Sequence, residues 1–235
     1  MKRSCKIDAI IPLAKSVFKV RLQPELTVNF KAGQYIKVRI ASKNTPFSIA
    51  NTPFDHGMLE LHIGGSILDE TTAAILEEFR QYLKQDKCIA IEGPFGDAWL
   101  RTSSDKPILL IAGGTGMSYI SSILKSCIIN GLTQPIYIYW GVKNHGLLYD
   151  HDELIELSYK NSNIQYVPVL ESSQHTNLYQ VGTVLDIVLR DFVCLYNYDI
   201  YISGPVSMMH VVRDVLCQKR MAQEKQMYSD AFEYL

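Results

Sequence analysis

The sequence has no long hydrophobic run, no excess of charge of either sign and no closely spaced cysteines. No uninterrupted apolar segment approaches the length needed to span a bilayer, which argues against a membrane partner. Lysine and arginine number 23 against 24 aspartates and glutamates, so the net charge of -1 provides no basic field for nucleic acid. The 47% of hydrophobic and 20% of charged residues are typical of a soluble globular protein.

The cysteines and the N-terminus indicate a reducing compartment. The cysteines are Cys5, Cys88, Cys127, Cys194 and Cys217. Because they are odd in number and widely spaced, they fit neither a disulfide framework nor a metal or iron–sulfur site. Residues 1–8 are charged and lack an apolar signal core. We therefore expect a cytoplasmic protein without bound metal or a fused ferredoxin-like domain.

Short strands dominate the first hundred residues. Apolar or alternating runs separated by turn residues predict an antiparallel β-barrel. One helix is predicted among these strands at 71–83, because the apolar residues of this segment fall on one face of a helix. The predicted strands are 7–13, 17–22, 34–40, 46–50, 58–63 and 88–91, and the last leads into a turn at 93–96.

After a polar segment at 101–106, strands and helices alternate. This alternation predicts βαβ units that form a Rossmann-like parallel sheet with flanking helices. Strands are predicted at 108–112, 135–140, 164–170 and 199–203, with helices at 118–130, 151–159, 181–190 and 207–222. We predict two domains, a barrel domain at 1–103 and an α/β domain at 104–235.

A glycine-rich turn, Gly113–Gly116, joins the first strand of the second domain to its helix. At such a turn, backbone N–H groups and the helix dipole face a phosphate, and the missing side chains let a dinucleotide approach. A tight strand-to-helix turn also needs glycine for conformational reasons alone, so the turn by itself leaves both explanations open. Residues 141–145 and 203–205 follow other strands, at the edge where parallel sheets bind ligands.

Together, Pro46-Phe47-Ser48 in the barrel and Gly113–Gly116 in the sheet resemble the ferredoxin–NADP reductase superfamily. The resemblance extends over nearly the whole chain to bacterial NAD(P)H–flavin oxidoreductases of the Fre and LuxG type. Matching motifs occur in the same order at 30–35, 46–53, 59–64, 108–119, 138–141, 148–150, 199–204 and 230–232. The resemblance implies hydride transfer from NAD(P)H to a flavin, which needs two adjoining sites.

For the flavin, the resemblance implies that Ser48 is catalytic, with its hydroxyl near flavin N5. The alternative is a hydroxyl that only caps a strand end. The other implied flavin contacts are Thr45, Pro46, Phe47, Ile49, His62, Ile63, Gly64 and Thr115. Phe47 also suits the barrel core, and Thr115 also suits a helix cap or a contact to nicotinamide.

Two further groups have less certain roles on the flavin side. A lone histidine in an alternating strand, such as His62, is more often a surface or hydrogen-bonded residue than a catalyst. The resemblance implies that the backbone of residues 62–64 lines the ribityl side of the flavin. Phe232 and Tyr234 shield the flavin face or pack as a C-terminal tail.

The nucleotide is expected on the parallel sheet. The predicted contacts are Ala112, Gly113, Gly114, Thr115, Gly116, Lys143, Gly204 and Pro205. Sheets that select NAD often end their second strand with an acid for the ribose hydroxyls, whereas a 2′-phosphate requires a cation. Residues 141–145 offer Lys143 and no acid. We therefore expect NADH and NADPH both to be used.

Two departures from the superfamily bear on how the flavin is held. Members that retain their flavin have an arginine just before the flavin motif, whereas this chain has Lys43-Asn44-Thr45. Such members also bind a pyrophosphate at the N-terminus of the barrel helix, where Asp69 and Glu70 would repel it. Lys43 could partly replace the arginine, and the acids also suit the helix dipole. We favour weak binding of riboflavin, FMN or FAD as a substrate.

The leading hypothesis is therefore an NAD(P)H:flavin oxidoreductase that releases reduced flavin to a separate acceptor, such as a monooxygenase or ferric iron. A second hypothesis is a reductase with tightly bound FAD that serves a protein partner and purifies yellow. A third is a nucleotide-binding protein without catalytic activity. The intact Ser48 and Gly113–Gly116 argue against the third hypothesis.

Overall fold

The fold consists of two β-sheets joined by one connecting segment. This computed structural model describes residues 2–40, 43–55, 57–172 and 179–229. Within these residues, an antiparallel N-terminal sheet and a parallel C-terminal sheet each contain six strands, which confirms the predicted fold class. Residues 96–107 connect the sheets. Domain limits at 1–103 and 104–235 stay a prediction.

The N-terminal sheet curls into a half-barrel. Its strands are β1 (Lys2–Ala14), β2 (Val17–Pro24), β3 (Tyr35–Ile40), β4 (Lys43–Ser48), β5 (Leu59–Gly64) and β6 (Ile89–Phe95), in the order β4-β3-β6-β1-β2-β5. The two outer strands meet where the chain leaves β4, since the Ala50 N–H donates to the Glu60 carbonyl at 2.7 Å. Leu76 and Phe79 of helix α1 (Glu70–Lys84) complete the barrel core. This helix matches the predicted one to within a residue at each end.

Strand β6 extends farther than the sequence predicted. We expected a strand end at Ile91 followed by a turn, but pairing continues to Phe95, which lies opposite Tyr35. A register shift between Tyr35 and Lys37 accommodates the change, and the rings of Tyr35 and Phe95 lie 5.7 Å apart. Because such an irregularity tolerates glycine and proline inside a strand, these residues were a poor marker of its end.

The C-terminal sheet is parallel, with the order β10-β9-β8-β7-β11-β12. Its strands are β7 (Ile108–Gly113), β8 (Ile136–Val142), β9 (Ile164–Leu170), β10 (Gln180–Val181), β11 (Asp199–Ser203) and β12 (Met227–Tyr228). Helices α2 (Met117–Ile129) and α3 (His151–Lys160) cover one face, and α4 (Val184–Asp191) and α5 (Val206–Arg220) cover the other. Chain order reverses beside β7, so the topological switch point lies at the glycine turn.

Helix α4 begins three residues later than predicted. Residues 180–181 extend the sheet as a short parallel strand beside β9, which hydrophobic periodicity cannot detect at that length. Thr183 then caps the helix, because its side chain accepts the Asp186 N–H while the Asp186 side chain bonds back to Thr183. Helix α5 also ends two residues early, because Met221 adopts the left-handed conformation with φ of +57°.

Helix α2 is buried on nearly all sides because it lies between the parallel sheet and the half-barrel. The Tyr119 hydroxyl donates to the Ala98 carbonyl at 2.5 Å, and the Ser122 hydroxyl donates to the Asn51 carbonyl at 2.7 Å. These bonds fix helix α2 against the segments that follow β4 and β6. In the part of the chain that the structure describes, no helix is long and apolar enough to cross a membrane.

Candidate functional site

A cleft of about 920 Å³ separates the half-barrel from the carboxyl ends of the parallel strands. Its barrel wall consists of the ends of β4 and β5 and the segment that leads into α1. Its sheet wall consists of the turns after β7, β8, β9, β10 and β11 and of residues at the starts of α4 and α5. Loops that follow neighbouring parallel strands converge at a switch point, which explains the location. The volume is suitable for small-molecule ligands.

Most of the predicted site residues line this cleft. Those on its wall are Pro46, Phe47, Ser48, His62, Gly64, Gly113, Gly114, Thr115, Gly116, Lys143, Gly204 and Pro205. Thr45 is not on the wall. Ile49, Ile63 and Ala112 belong to the hydrophobic cores, because side chains alternate along a strand and their neighbours face the cleft. Phe232 and Tyr234 lie outside the described residues. The binding roles of all these residues stay predictions.

The turn after β7 contains glycines of two kinds. A Cβ at Gly116 would strike the backbone carbonyl of Ser203, and one at Gly113 would lie 2.5 Å from the Met208 sulfur. Close packing against the end of β11 therefore accounts for Gly116, and close packing against helix α5 accounts for Gly113. Gly114 differs, because its φ is +55° and no atom lies within 4 Å of an added Cβ. The conformational explanation of the glycine-rich turn thus applies to Gly114, and the approach of a phosphate to this turn stays a prediction.

Two side chains hold this turn in position. The Trp140 indole N–H donates to the Gly114 carbonyl at 2.9 Å, and the Thr115 hydroxyl donates to the Gly64 carbonyl at 3.4 Å. Trp140 is fully buried in the core. The second bond spans the cleft, so it fixes the distance between the barrel wall and the sheet wall.

The N-terminus of α1 is capped by an acidic side chain. The Asp69 carboxylate accepts the Thr72 N–H at 2.9 Å and the Thr72 hydroxyl at 3.0 Å. These bonds lower the pKa of Asp69, which is therefore charged at neutral pH and lines the cleft. Glu70 adds a second acid in the first turn. Helices α2 and α5 carry no acid in their first turns and no side-chain cap bond.

The sheet wall carries charges of both signs. Lys143, which follows β8, is the one lysine or arginine among the described residues on the cleft wall. Glu171 follows the neighbouring strand β9, and its N–H donates to the Val142 carbonyl at 3.0 Å. Sequence reasoning missed Glu171 as a cleft residue. The rule that ligands bind beyond strand ends would have found it, had it been applied to β9 as well.

Metal ligands and reactive thiols are the other groups that a redox site could use. No three histidine, cysteine, aspartate or glutamate side chains among the described residues are placed to hold a metal ion. The cysteines are free thiols. Burial raises the pKa of the Cys5 and Cys127 thiols to about 12, so both stay protonated at neutral pH.

Comparison with known proteins places the chain in a family. The family model described as oxidoreductase NAD-binding domain matches residues 110–214. The chain is 45% identical over 231 residues to a probable flavin reductase from Vibrio harveyi, which covers 98% of this chain and 99% of the relative. It is 42% identical over 237 residues to the NAD(P)H-flavin reductase from Vibrio harveyi, with 100% of both chains covered.

The fold is similar to that of the Amycolatopsis cytochrome P450 reductase GcoB, with a TM-score of 0.81 and 22% identity. That match covers 98% of this chain and 69% of the other, and at this identity it shows the fold alone. Together, the fold, the family model and the full-length relatives define a two-domain oxidoreductase of the ferredoxin reductase superfamily, with an NAD-binding sheet. Within that superfamily, the chain belongs to the NAD(P)H-flavin reductases.

Proposed function

We propose that this flavin reductase uses flavin as a diffusing substrate, which it binds weakly and releases after reduction. NAD(P)H occupies the sheet wall, and riboflavin, FMN or FAD occupies the barrel wall. A hydride leaves C4 of the nicotinamide for N5 of the flavin, and one proton from solvent completes the dihydroflavin. The balance is NAD(P)H plus flavin plus H⁺ to NAD(P)⁺ plus reduced flavin.

The charge of the barrel wall is the observation that carries this proposal. Asp69 occupies the helix N-terminus nearest the flavin side, and the described barrel residues on the wall include no lysine or arginine. A flavin phosphate at this place would meet a negative charge instead of a guanidinium. Binding therefore depends on the ring and the ribityl chain, which riboflavin, FMN and FAD share.

Ser48 supplies the polar group nearest the reaction on the barrel side. It ends strand β4, is half-buried and lines the cleft. We assign its hydroxyl to a hydrogen bond with flavin N5, the atom that receives the hydride. Pro46 and Phe47 supply ring contacts beside it. The Phe47 ring also lies 6.5 Å from that of Phe79, so Phe47 contributes to the barrel core as well.

The sheet wall supports the use of both nucleotides. Lys143 offers a cation to a 2′-phosphate, and Glu171 offers an acceptor to a ribose hydroxyl. Glycine, threonine and the uncapped N-termini of α2 and α5 leave backbone donors for the pyrophosphate. We place the reaction in the cytoplasm, where both nucleotides are available. Reduced flavin then passes to a separate acceptor, for which a monooxygenase or ferric iron has suitable chemistry.

The visible spectrum of the purified protein tests the proposal, followed by NADH or NADPH oxidation with and without added flavin. We expect a nearly colourless protein whose oxidation rate depends on added riboflavin, FMN or FAD. A yellow protein that nucleotide reduces without added flavin would contradict weak binding and indicate a reductase for a protein partner. Absence of oxidation with every flavin would contradict the catalytic assignment.

A further inference from the structure

His62, whose role the sequence pattern left open, lies on the cleft wall, as Ser48 does. The Ala50 N–H donates to the Glu60 carbonyl, so the ends of β4 and β5, which carry Ser48 and His62, lie near each other. Both residues line the cleft. His62 is only 8% exposed, which limits its contacts to the barrel, the sheet and whatever occupies the cleft.

Tyr149 fixes the orientation of the imidazole ring. The Tyr149 hydroxyl lies 3.2 Å from His62 Nδ1, and the two rings meet edge to face with centroids 5.3 Å apart. On its other side, Tyr149 packs against Trp140, with centroids 5.0 Å apart. The imidazole is therefore held between the two walls, and Trp140, which also bonds the glycine turn, supports it.

The hydrogen bond also selects one tautomer. Burial raises the pKa of Tyr149 well above its usual value, so the phenol keeps its proton. Among the described residues, His62 Nδ1 is the hydrogen-bond partner of the Tyr149 hydroxyl. If Nδ1 carried the ring proton, the buried Tyr149 O–H would have no acceptor among the described residues. Nδ1 therefore accepts, and the ring proton resides on Nε2.

The imidazole carries no charge at neutral pH. Burial lowers the pKa of His62 to about 3, and the positive charges of Lys19 and Lys125 contribute to the shift. Lys19 pairs with Glu60 on the half-barrel at 3.2 Å, and Lys125 pairs with Glu153 between helices α2 and α3 at 2.8 Å. His62 gains a proton only near pH 3, so it stays a neutral N–H donor from pH 5 to 8.

Among the residues that the structure describes, His62 Nε2 has no hydrogen-bond partner. The atom is not fully enclosed by the protein. Because His62 lines the cleft, this N–H is available to a ligand there. A neutral donor suits an uncharged acceptor. Flavins carry such acceptors on the ring and on the ribityl chain, whereas a phosphate would favour a cation.

We propose that His62 donates a hydrogen bond from Nε2 to the flavin substrate, and that Tyr149 is a positioning residue that holds the required tautomer. The assignment rests on the proposed placement of flavin against the barrel wall. It gives the site a flavin contact that does not involve the phosphate. That contact is the same for riboflavin, FMN and FAD.

Substitution at the two positions tests the proposal through the KM for flavin. We expect His62→Leu to raise the KM for riboflavin about tenfold, and the KM for NADH less than twofold, because one hydrogen bond to the flavin is lost. His62→Gln places an amide N–H near the position of Nε2, so we expect a loss of threefold or less. Thermal unfolding of each variant separates this loss from misfolding.

Unchanged riboflavin KM in folded His62→Leu, or an equal rise in the KM for NADH, would overturn the proposal. Lumiflavin, which lacks the ribityl chain, shows which part of the flavin accepts the hydrogen bond. If His62→Leu raises the KM for riboflavin but not for lumiflavin, the acceptor is on the ribityl chain. If it raises both KM values, the acceptor is on the ring. Nitrogen-15 NMR of the flavin-free protein tests the tautomer independently of activity. We expect a protonated Nε2 in the wild type and mixed tautomers in Tyr149→Phe, and a protonated Nδ1 in the wild type would also overturn the proposal.

Discussion

The two walls of the cleft use the same structural element, a helix N-terminus, in opposite ways. On the barrel wall, Asp69 and Glu70 fill the first turn of α1 with negative charge. On the sheet wall, α2 and α5 begin without an acid and without a side-chain cap. The backbone dipole is the same in each case, so the side chains of the first turn decide whether an anion is accepted.

Under the proposed function, this difference means that the nucleotide is bound more tightly than the flavin. In the proposed arrangement, a dinucleotide phosphate would meet backbone donors and Lys143 on the sheet wall, whereas a flavin phosphate would meet Asp69 on the barrel wall. A reductase that releases its reduced flavin gains from a weak flavin site. The proposed release of reduced flavin therefore requires no conformational change. Each substitution below changes one wall alone.

Ser48→Ala removes the proposed chemistry of the barrel wall and leaves the sheet wall intact. We expect kcat for flavin reduction to fall about 10²-fold, as when one positioned donor is lost from a transition state. The KM for NADH should change little. Steady-state kinetics with riboflavin measure the effect, and Ser158→Ala, in the distal half of α3 and off the cleft wall, is the matched control. A full-rate Ser48→Ala enzyme would remove Ser48 from the mechanism.

Gly116→Ala disturbs the sheet wall. The new methyl group would strike the Ser203 carbonyl, and overpacking against backbone lowers the free energy of unfolding by about 2 kcal/mol or more. Gly114→Ala has space for its methyl group and is destabilised only by the positive φ, roughly 1 kcal/mol. Chemical denaturation compares the two variants. Because Gly116 has an ordinary φ of -55°, equal losses would show that the neighbouring backbone shifts and relieves the contact with Ser203.

Asp69→Asn combined with Glu70→Gln makes the barrel wall resemble the sheet wall. The side-chain amide introduced by Asp69→Asn retains an oxygen for the Thr72 N–H, so the helix cap survives while the repulsion disappears. We expect the ratio of riboflavin KM to FMN KM to rise about tenfold, because two charges near a helix N-terminus each contribute up to about 1 kcal/mol. Riboflavin has no phosphate, and its own KM should not change.

A control for general charge is Glu77→Gln, an exposed acid two turns along the same helix. It should leave the ratio of riboflavin KM to FMN KM unchanged. If the double variant and Glu77→Gln gave the same ratio as the wild type, phosphate would not approach α1. The weak binding of flavin would then need another explanation.

Much of this arrangement could be predicted from the sequence, because it follows from local patterns. Alternating strands and helices indicated the parallel sheet, and the carboxyl-end rule placed Gly113–Gly116, Lys143 and residues 203–205 at one edge. The acids at the start of α1 were visible as a departure from the superfamily. Each of these inferences needs only neighbouring residues or a rule about strand ends.

The contacts that cross the cleft were beyond such reasoning. His62 and Tyr149 lie 87 residues apart and belong to different domains of the fold. The sulfur of Met208 explains Gly113 through packing between β7 and α5, which no spacing in the sequence reveals. Short edge strands at 180–181 and 227–228 carry too few residues for a period. Pairings between distant segments therefore required the structure.

Glu171→Gln and Lys143→Gln change the balance within the sheet wall and are expected to have the smallest effects. Removing the acid should raise the NADPH to NADH ratio of kcat/KM about fivefold, and removing the cation should lower it by a similar factor, since an exposed charge contributes about 1 kcal/mol. Lys219→Gln, near the distal end of α5, controls for net charge.

Opposite shifts from the two variants would show that Glu171 and Lys143 contact the same ribose. A shift from Lys143→Gln alone would place the 2′-position of the ribose away from β9. The comparison of walls would then hold for phosphate, but the choice between nucleotides would depend on β8 alone.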